Sequence, residues 1–265
     1  METPEQLKEI VLTKYNHIAQ HNDETGKNGL TLWGSAADYS ALANSYKKLE
    51  GYFPSADLGL GCGTPTEFAV IKAGDTVIDL GSGAGIDCFI AQVKVGEKGN
   101  IIGVDFAEKM IDKARQNLQK LDYENVEFIC QDIENLSLES GVADVVISNC
   151  TLNLVPDKIQ AFKEIFRVLK NGGHFSISDI VLIGAIPEEL QRNEMFIDCI
   201  AGAIQLDDYL DLIKDLGFKD LKISKSKRIN IPEEILSLYF SDDKLNEFMT
   251  GSFGIFSVTV YAAKT

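Results

Sequence analysis

From residue 76 onward the chain alternates between two textures. TVIDLG, IIGVDF, VEFICQD, ADVVISN and HFSISDIV are short apolar runs rich in β-branched residues. Between them lie IDCFIAQVK, AEKMIDKARQNLQK and DKIQAFKEIFRVLK, whose apolar residues recur at helical spacing. This alternation predicts βαβ units and a parallel sheet with helices on both faces. NGG at 171–173 reads as a left-handed cap closing the third helix. PEELQRNEMFIDCIAGAIQ then reads as a helical insertion and LDDYLDLIKDLGF as a further helix. LKISKSKRI and FSVTVYAAK add two late strands, which completes a seven-stranded, mostly parallel α/β sheet of Rossmann-like type. Ahead of the alternation, Leu7, Ile10, Val11, Tyr15 and Ile18 share one face of a helical pattern. The turn-rich stretch from Gly29 to Phe68 reads as a covering segment. Three parts follow: 1–65 as a helical or lid segment, 66–182 as the core, and 183–265 as a helical insertion with the final strands.

With 265 residues and a net charge of −15, the chain is a poor match for nucleic-acid backbones or anionic membranes, which need Lys and Arg. No apolar run approaches the ~18–20 residues of a membrane span. The first twenty residues are polar and lack the layout of a signal peptide. Five scattered cysteines (Cys62, Cys88, Cys130, Cys150 and Cys199) do not form a secreted disulfide framework or a zinc-spaced cluster. A cytoplasmic location is expected.

VIDLGSGAG follows a buried strand and opens a helix. Gly81, Gly83 and Gly85, with Ser82 among them, let the backbone turn tightly and touch a ligand. Asp105 ends the next strand at the spacing from which a carboxylate reaches a ribose hydroxyl pair, and Asp132 ends the third. Asp79 stands just before the loop, where it repels phosphate and suits a cation. S-adenosylmethionine carries sulfonium and ammonium groups and no phosphate, and it is the expected cofactor. The layout D-x-G-x-G-x-G, Asp105, Asp132 resembles the class I methyltransferases. That resemblance implies that Asp79 and Gly81–Gly83 hold the amino-acid part and Asp105 the ribose. It places Phe106 and Met110 near the adenine and Asp132–Ile133 at its edge. Met110 reads equally well as ordinary helix packing, and Asp132 alone as a solvated loop carboxylate.

Three cysteines surround that pocket from different segments. Cys62 lies in LGLGCGTPT, Cys150 follows the fourth strand in NCTLNLVPD, and Cys199 lies in DCIAGA. Cys88, among Phe89, Ile90 and Val93, and Cys130, inside a strand run, read as buried packing residues. Asn149 either lines the cofactor pocket or caps the strand end. Thiolates choose soft centres, and three of them suit a pyramidal arsenic(III) whose lone pair can attack a sulfonium methyl.

The sequences around GCG, SNC and CIAGA, in that order, resemble the arsenite methyltransferase family over roughly residues 55–225. The resemblance implies methyl transfer from S-adenosylmethionine to arsenic held by Cys62, Cys150 and Cys199. It also implies thiol exchange, an intramolecular disulfide, and thioredoxin or glutathione as reductant. Some relatives carry a further cysteine near the N-terminus, and nothing before Cys62 matches it here. Two other readings stand beside this one. One is a class I methyltransferase for a small organic acceptor; the other is a non-catalytic thiol-metalloid binding protein.

Overall fold

The computed structural model describes residues 3–21, 46–184, 202–229 and 254–265. The predicted strands form as β1 (Thr76–Leu80), β2 (Asn100–Asp105), β3 (Val126–Cys130), β4 (Ala143–Asn149) and β5 (Leu169–Ile183). The two late strands are β6 (Lys219–Arg228) and β7 (Gly254–Ala263). Helix α1 spans Pro4–His21 and the short α2 Pro65–Phe68. Helices α3 (Ile86–Val95), α4 (Glu108–Leu118) and α5 (Lys158–Val168) connect the strands, and α6 (Leu206–Asp215) precedes β6.

The seven strands form one sheet in the order β3-β2-β1-β4-β5-β7-β6. β1 pairs in parallel with both β2 and β4, while β7 runs antiparallel to β5 and β6. The sheet is thus mostly parallel, as expected. The chain builds outward from β1 through β2 to β3, then crosses to the other side of β1 as β4. Connections leave β1 and β4 in opposite directions, so a crevice opens beyond their carboxyl ends.

Alternate residues of the central strands feed two cores. Ile78, Leu80 and Val146 pack with Phe162, Ile165, Phe175 and Tyr209 on the face covered by α5 and α6. Val77, Val145 and Ile147 pack with Phe89, Ile111 and Phe128 on the face covered by α3 and α4. Strands buried on both faces explain the near-continuous apolar runs in the sequence. Asp157 caps α5 by accepting the Gln160 N–H at 2.9 Å. Helix α1 lies on α4: Ile18 and Ala19 pack against Ala107 and Met110, and Asn16 accepts the Lys109 N–H at 3.0 Å.

The NGG expectation is corrected. Helix α5 ends at Val168, because Leu169 is already extended, buried and paired with Ala143. The register then jumps to Val145↔His174. Gly172, at φ 83°, serves this irregularity inside β5, where its N–H donates to the Lys264 carbonyl at 2.7 Å. Of the expected helical insertion 187–205, the part through residue 201, with Cys199, lies outside the described residues, while Gly202–Gln205 are not helical and Gln205 bridges Leu182. Of the segment 231–255 only Gly254 and Ile255 are described, at the start of β7. No helix among the described residues is long and apolar enough to cross a membrane.

Phe162 is fully buried, with ring centroids 5.8 Å from Phe175 and 5.6 Å from Tyr209. Phe162→Ala is expected to cost about 3–5 kcal/mol in urea unfolding. A loss under about 1 kcal/mol would show that this core face does not set stability.

Candidate functional site

The crevice beyond β1 and β4 is an open cleft of about 1020 Å³. Its floor is the glycine loop. The N–H groups of Gly81 and Ser82 both donate to the Val104 carbonyl, at 2.7 and 3.0 Å, which folds the loop onto β2. Gly81 has φ 76°, and a Cβ there would collide with the Thr151 side chain. Glycine is therefore required both by conformation and by close approach. Ser82 lines the cleft, and its buried hydroxyl has no hydrogen-bond partner among the described residues.

Five aspartates line this space, Asp57 among them. Asp105 at the end of β2 accepts the Gly83 N–H on Oδ2 and the Ala107 N–H on Oδ1, both at 2.9 Å. Burial pushes it up to about 6, against the pull of those backbone donors. Asp79 is buried, and the Cys88 thiol donates to its Oδ2 at 3.3 Å. Burial, and then the neighbouring Asp87, hold its carboxyl well above the usual range. Asp87 is raised to about 6 by burial; the Tyr46 hydroxyl, the Asn149 amide and the Thr66 hydroxyl donate to it and oppose that rise. Asp132, more exposed, accepts Lys8 Nζ of α1 at 2.6 Å. Lys8 also pairs with Glu134.

Of the residues expected at the cofactor, Asp79, Gly81, Ser82, Gly83, Asp105, Phe106, Asp132, Ile133 and Asn149 line the cleft. Met110 does not: it is fully buried between α1 and α4 with Ile18, Ala19 and Ala107. Gly85 does not either. At φ 98° it starts α3, and a Cβ there would stand 2.9 Å from the rings of Phe89 and Phe128. Sequence reasoning missed Lys8, Tyr46, Asp57 and Asp87, all of which line the cleft. Asp87 has the look of an ordinary acidic residue in a first helical turn. Nothing in the sequence links Lys8 or Tyr46 to a pocket some thirty to a hundred residues away.

The thiol side adjoins the same cleft. Cys150 follows β4, is buried, and lines the cleft. It is held at φ 61°, a left-handed conformation rare for a residue with a side chain, and its N–H donates to the Ser178 carbonyl at 2.8 Å. Cys62 is also buried. Its N–H donates to Asn149 Oδ1 at 3.1 Å, and its carbonyl accepts the Ser257 hydroxyl at 2.6 Å. The structure thus brings the Cys62 loop against the residue next to Cys150. The Tyr209 hydroxyl is raised by burial first and Asp179 next, and both cysteines contribute to that rise. Neither cysteine is in a disulfide. Cys199 lies outside the described residues.

Two cysteine expectations change. Cys130 is exposed, standing at the end of the edge strand β3 with its Sγ 3.6 Å from the Phe106 carbonyl. Cys88 is fully buried as expected, but it also donates to Asp79 and so is more than packing.

Residues 71–229 match the family model described as a methyltransferase domain. Arsenite methyltransferase from Halobacterium salinarum is 37% identical over 260 residues, covering 94% of this chain and 66% of that protein. The human arsenite methyltransferase is 33% identical over 191 residues, covering 68% of this chain and 50% of that protein. The crystal structure of an arsenic(III) S-adenosylmethionine methyltransferase from Chlamydomonas reinhardtii superposes with a TM-score of 0.65 at 30% identity, covering 86% of this chain and 73% of that one. The chain belongs to the arsenite methyltransferase family. Its fold is that of the class I methyltransferases. As a member of the arsenite methyltransferase family it spans half to about two thirds of the length of the curated relatives it matches.

Two outcomes follow from the electrostatics and the backbone. Asp87 and Asp105 titrate at about 6 in the fold, against ~3.9 for an unfolded aspartate. Between those values the folded state binds more protons than the unfolded one. Above pH 6 each charged carboxylate therefore costs the fold on the order of 2–3 kcal/mol, and the cost fades as pH falls towards 4. The melting temperature of the ligand-free protein should rise between pH 7.5 and 5.5, and Asp105→Asn should flatten part of that slope. An unchanged slope in the variant would refute the assignment. At Cys150, Gly should be more stable than Ala by about 1 kcal/mol in denaturant unfolding, the reverse of the usual order, because only glycine is at ease with φ 61°.

Proposed function

We propose that this protein transfers a methyl group from S-adenosylmethionine to trivalent arsenic held by Cys62, Cys150 and Cys199. The observation that carries the reading is that two of these cysteines converge beside the carboxylate-lined cleft, through Asn149, from segments far apart in sequence. Gly202, three residues after Cys199, packs against the Asn153 carbonyl, three residues after Cys150. That contact supports Cys199 as the third ligand.

The residues present fit S-adenosylmethionine. The cleft is lined by Ser82, whose buried hydroxyl is unpartnered among the described residues, and by Gly81 and Gly83, which carry no Cβ. Two of its lining carboxylates, Asp79 and Asp105, are raised by burial, so a bound cation would restore their charge. Asp79 would face the ammonium group, Asp105 the ribose hydroxyls, and Phe106, Asp132 and Ile133 the adenine end. S-adenosylmethionine supplies, when bound, an electrophilic methyl carbon on a sulfonium.

The cysteines displace hydroxide from arsenite, each thiol proton leaving with a hydroxyl as water. The arsenic lone pair forms the As–C bond as the C–S bond breaks, and the electron pair stays on the departing sulfur. Arsenic rises formally from trivalent to pentavalent. Two cysteine thiolates return the two electrons by joining as a disulfide, which thioredoxin or glutathione then reduces. The chain's own contribution is to hold the two reactants in line and away from water. This chemistry belongs in the cytoplasm, where thiols stay reduced.

Incubation with labelled S-adenosylmethionine, arsenite and a thiol, followed by arsenic speciation, is expected to yield methylated arsenic. Cys62→Ser, Cys150→Ser and Cys199→Ser should each cut the rate by about 10²-fold or more, the scale of losing a positioned reactant. Absence of methylated arsenic, or full activity in two of the three variants, would overturn the proposal.

A further inference from the structure

Asn149 ends β4 one residue before Cys150, and its side chain is committed on both sides. Oδ1 accepts the N–H groups of Cys62 at 3.1 Å and Gly63 at 3.2 Å. Nδ2 donates to the Gly63 carbonyl at 2.9 Å, to Asp87 Oδ2 at 3.2 Å and to the Tyr46 hydroxyl. The amide orientation is settled by these partners, since the flipped form would point N–H at N–H. Asp87 is itself held by the Tyr46 hydroxyl at 2.6 Å and by Thr66. The glycines flanking Cys62 leave room for this grip. A Cβ on Gly61 would stand 2.6 Å from Asn149 Nδ2, and one on Gly63 would collide with Ser178.

We propose that Asn149, oriented by Asp87, is the positioning residue for Cys62, fixing its main chain beside Cys150 so that both sulfurs can meet one arsenic atom. The inference rests on the assignment of Cys62 and Cys150 as arsenic ligands. Thiolate–metal bonds are about 2.3 Å long, so two sulfurs sharing one centre leave little room for main-chain drift. Only a side chain that both accepts and donates can grip the N–H groups and the carbonyl of the same turn. Asn149 has that pair of functions, and the Asp87 carboxylate fixes which end faces the Cys62 loop. Asn149 itself does not need to touch arsenic.

Asn149→Asp removes the donor and sets a second carboxylate against Asp87. Combining it with Asp87→Asn restores a donor–acceptor pair between positions 149 and 87, with the direction reversed, while the Gly63 carbonyl still lacks its donor. Two readouts on the full chain test this. One is the alkylation rate of Cys62 by iodoacetamide, followed by mass spectrometry. The other is the number of sulfurs on bound arsenite, read by X-ray absorption. Asn149→Ala and Asn149→Asp should each raise Cys62 alkylation at least about tenfold, matching the loss of a closed buried site. Each should also remove one sulfur per arsenic, the loss expected of Cys62→Ser. The paired Asn149→Asp/Asp87→Asn variant should recover part of the protection lost in Asn149→Asp alone, slowing Cys62 alkylation at least about threefold relative to that single variant, which a misfolded protein would not do. Unchanged Cys62 alkylation in Asn149→Ala, or no rescue by the pair, would overturn the positioning role. If Cys62→Ser leaves the sulfur count unchanged, the ligand assignment fails instead, and the alkylation readout still decides whether Asn149 positions Cys62.

Discussion

The juxtaposition of β1 and β4 is the constraint from which the rest of this molecule follows. They are parallel neighbours whose connections run to opposite sides of the sheet. No crossover helix fills the space beyond their carboxyl ends, and that space becomes the cleft. β1 delivers Asp79 and the glycine loop to it, and β4 delivers Asn149 and Cys150. The glycine loop and Cys150, which share nothing in sequence, are thereby placed at the ends of adjacent strands, with the Leu80↔Ser148 pairing fixing their relative height.

The site runs against stability. Asp79, Asp87 and Asp105 are buried carboxylates, all raised by the loss of water. A protein selected for stability alone would fill such positions with apolar residues. Cys150 adds a left-handed backbone at a residue with a side chain. Strain and buried charge of this kind persist where the surrounding structure over-determines them. Here the determinants are the sheet pairing on one side and the Asn149 network on the other. The two apolar cores, packed against opposite faces of the same strands, offset the cost.

Much of this was legible beforehand, for identifiable reasons. Strand and helix textures survive in the sequence because both sheet faces are buried, so Val77, Ile78 and Leu80 in β1 and Val145, Val146 and Ile147 in β4 are apolar on either face. Asp79, Gly81, Gly83 and Asp105 were legible because loop conformation and spacing restrict residue type locally. Tyr46, Asp87 and Lys8 were not. Each reaches the cleft by a tertiary contact: Tyr46 and Asp87 meet across 41 positions, and Lys8 meets Asp132 across 124. The NGG turn was misassigned because Gly172 would suit a helix cap and a strand irregularity equally well. Only the pairing of Leu169 with Ala143 selects between them. Cys130 was misassigned because a strand residue can lie inside a sheet or at its open end, and the local pattern is the same.

The sequence by itself determined the alternating layers, the glycine loop with its acidic partners, and the presence of three cysteines outside the regular core. Those are properties of short windows, where backbone sterics and periodic burial act on neighbours. Only the tertiary structure decided which cysteine-bearing segments adjoin. Cys62 and Cys150 lie 88 positions apart, and the Asn149 amide at the end of β4 binds the Cys62 loop one residue before Cys150. Side-chain hydrogen bonds between distant segments leave no periodic trace in a sequence, because their partners are set by the fold rather than by spacing along the chain.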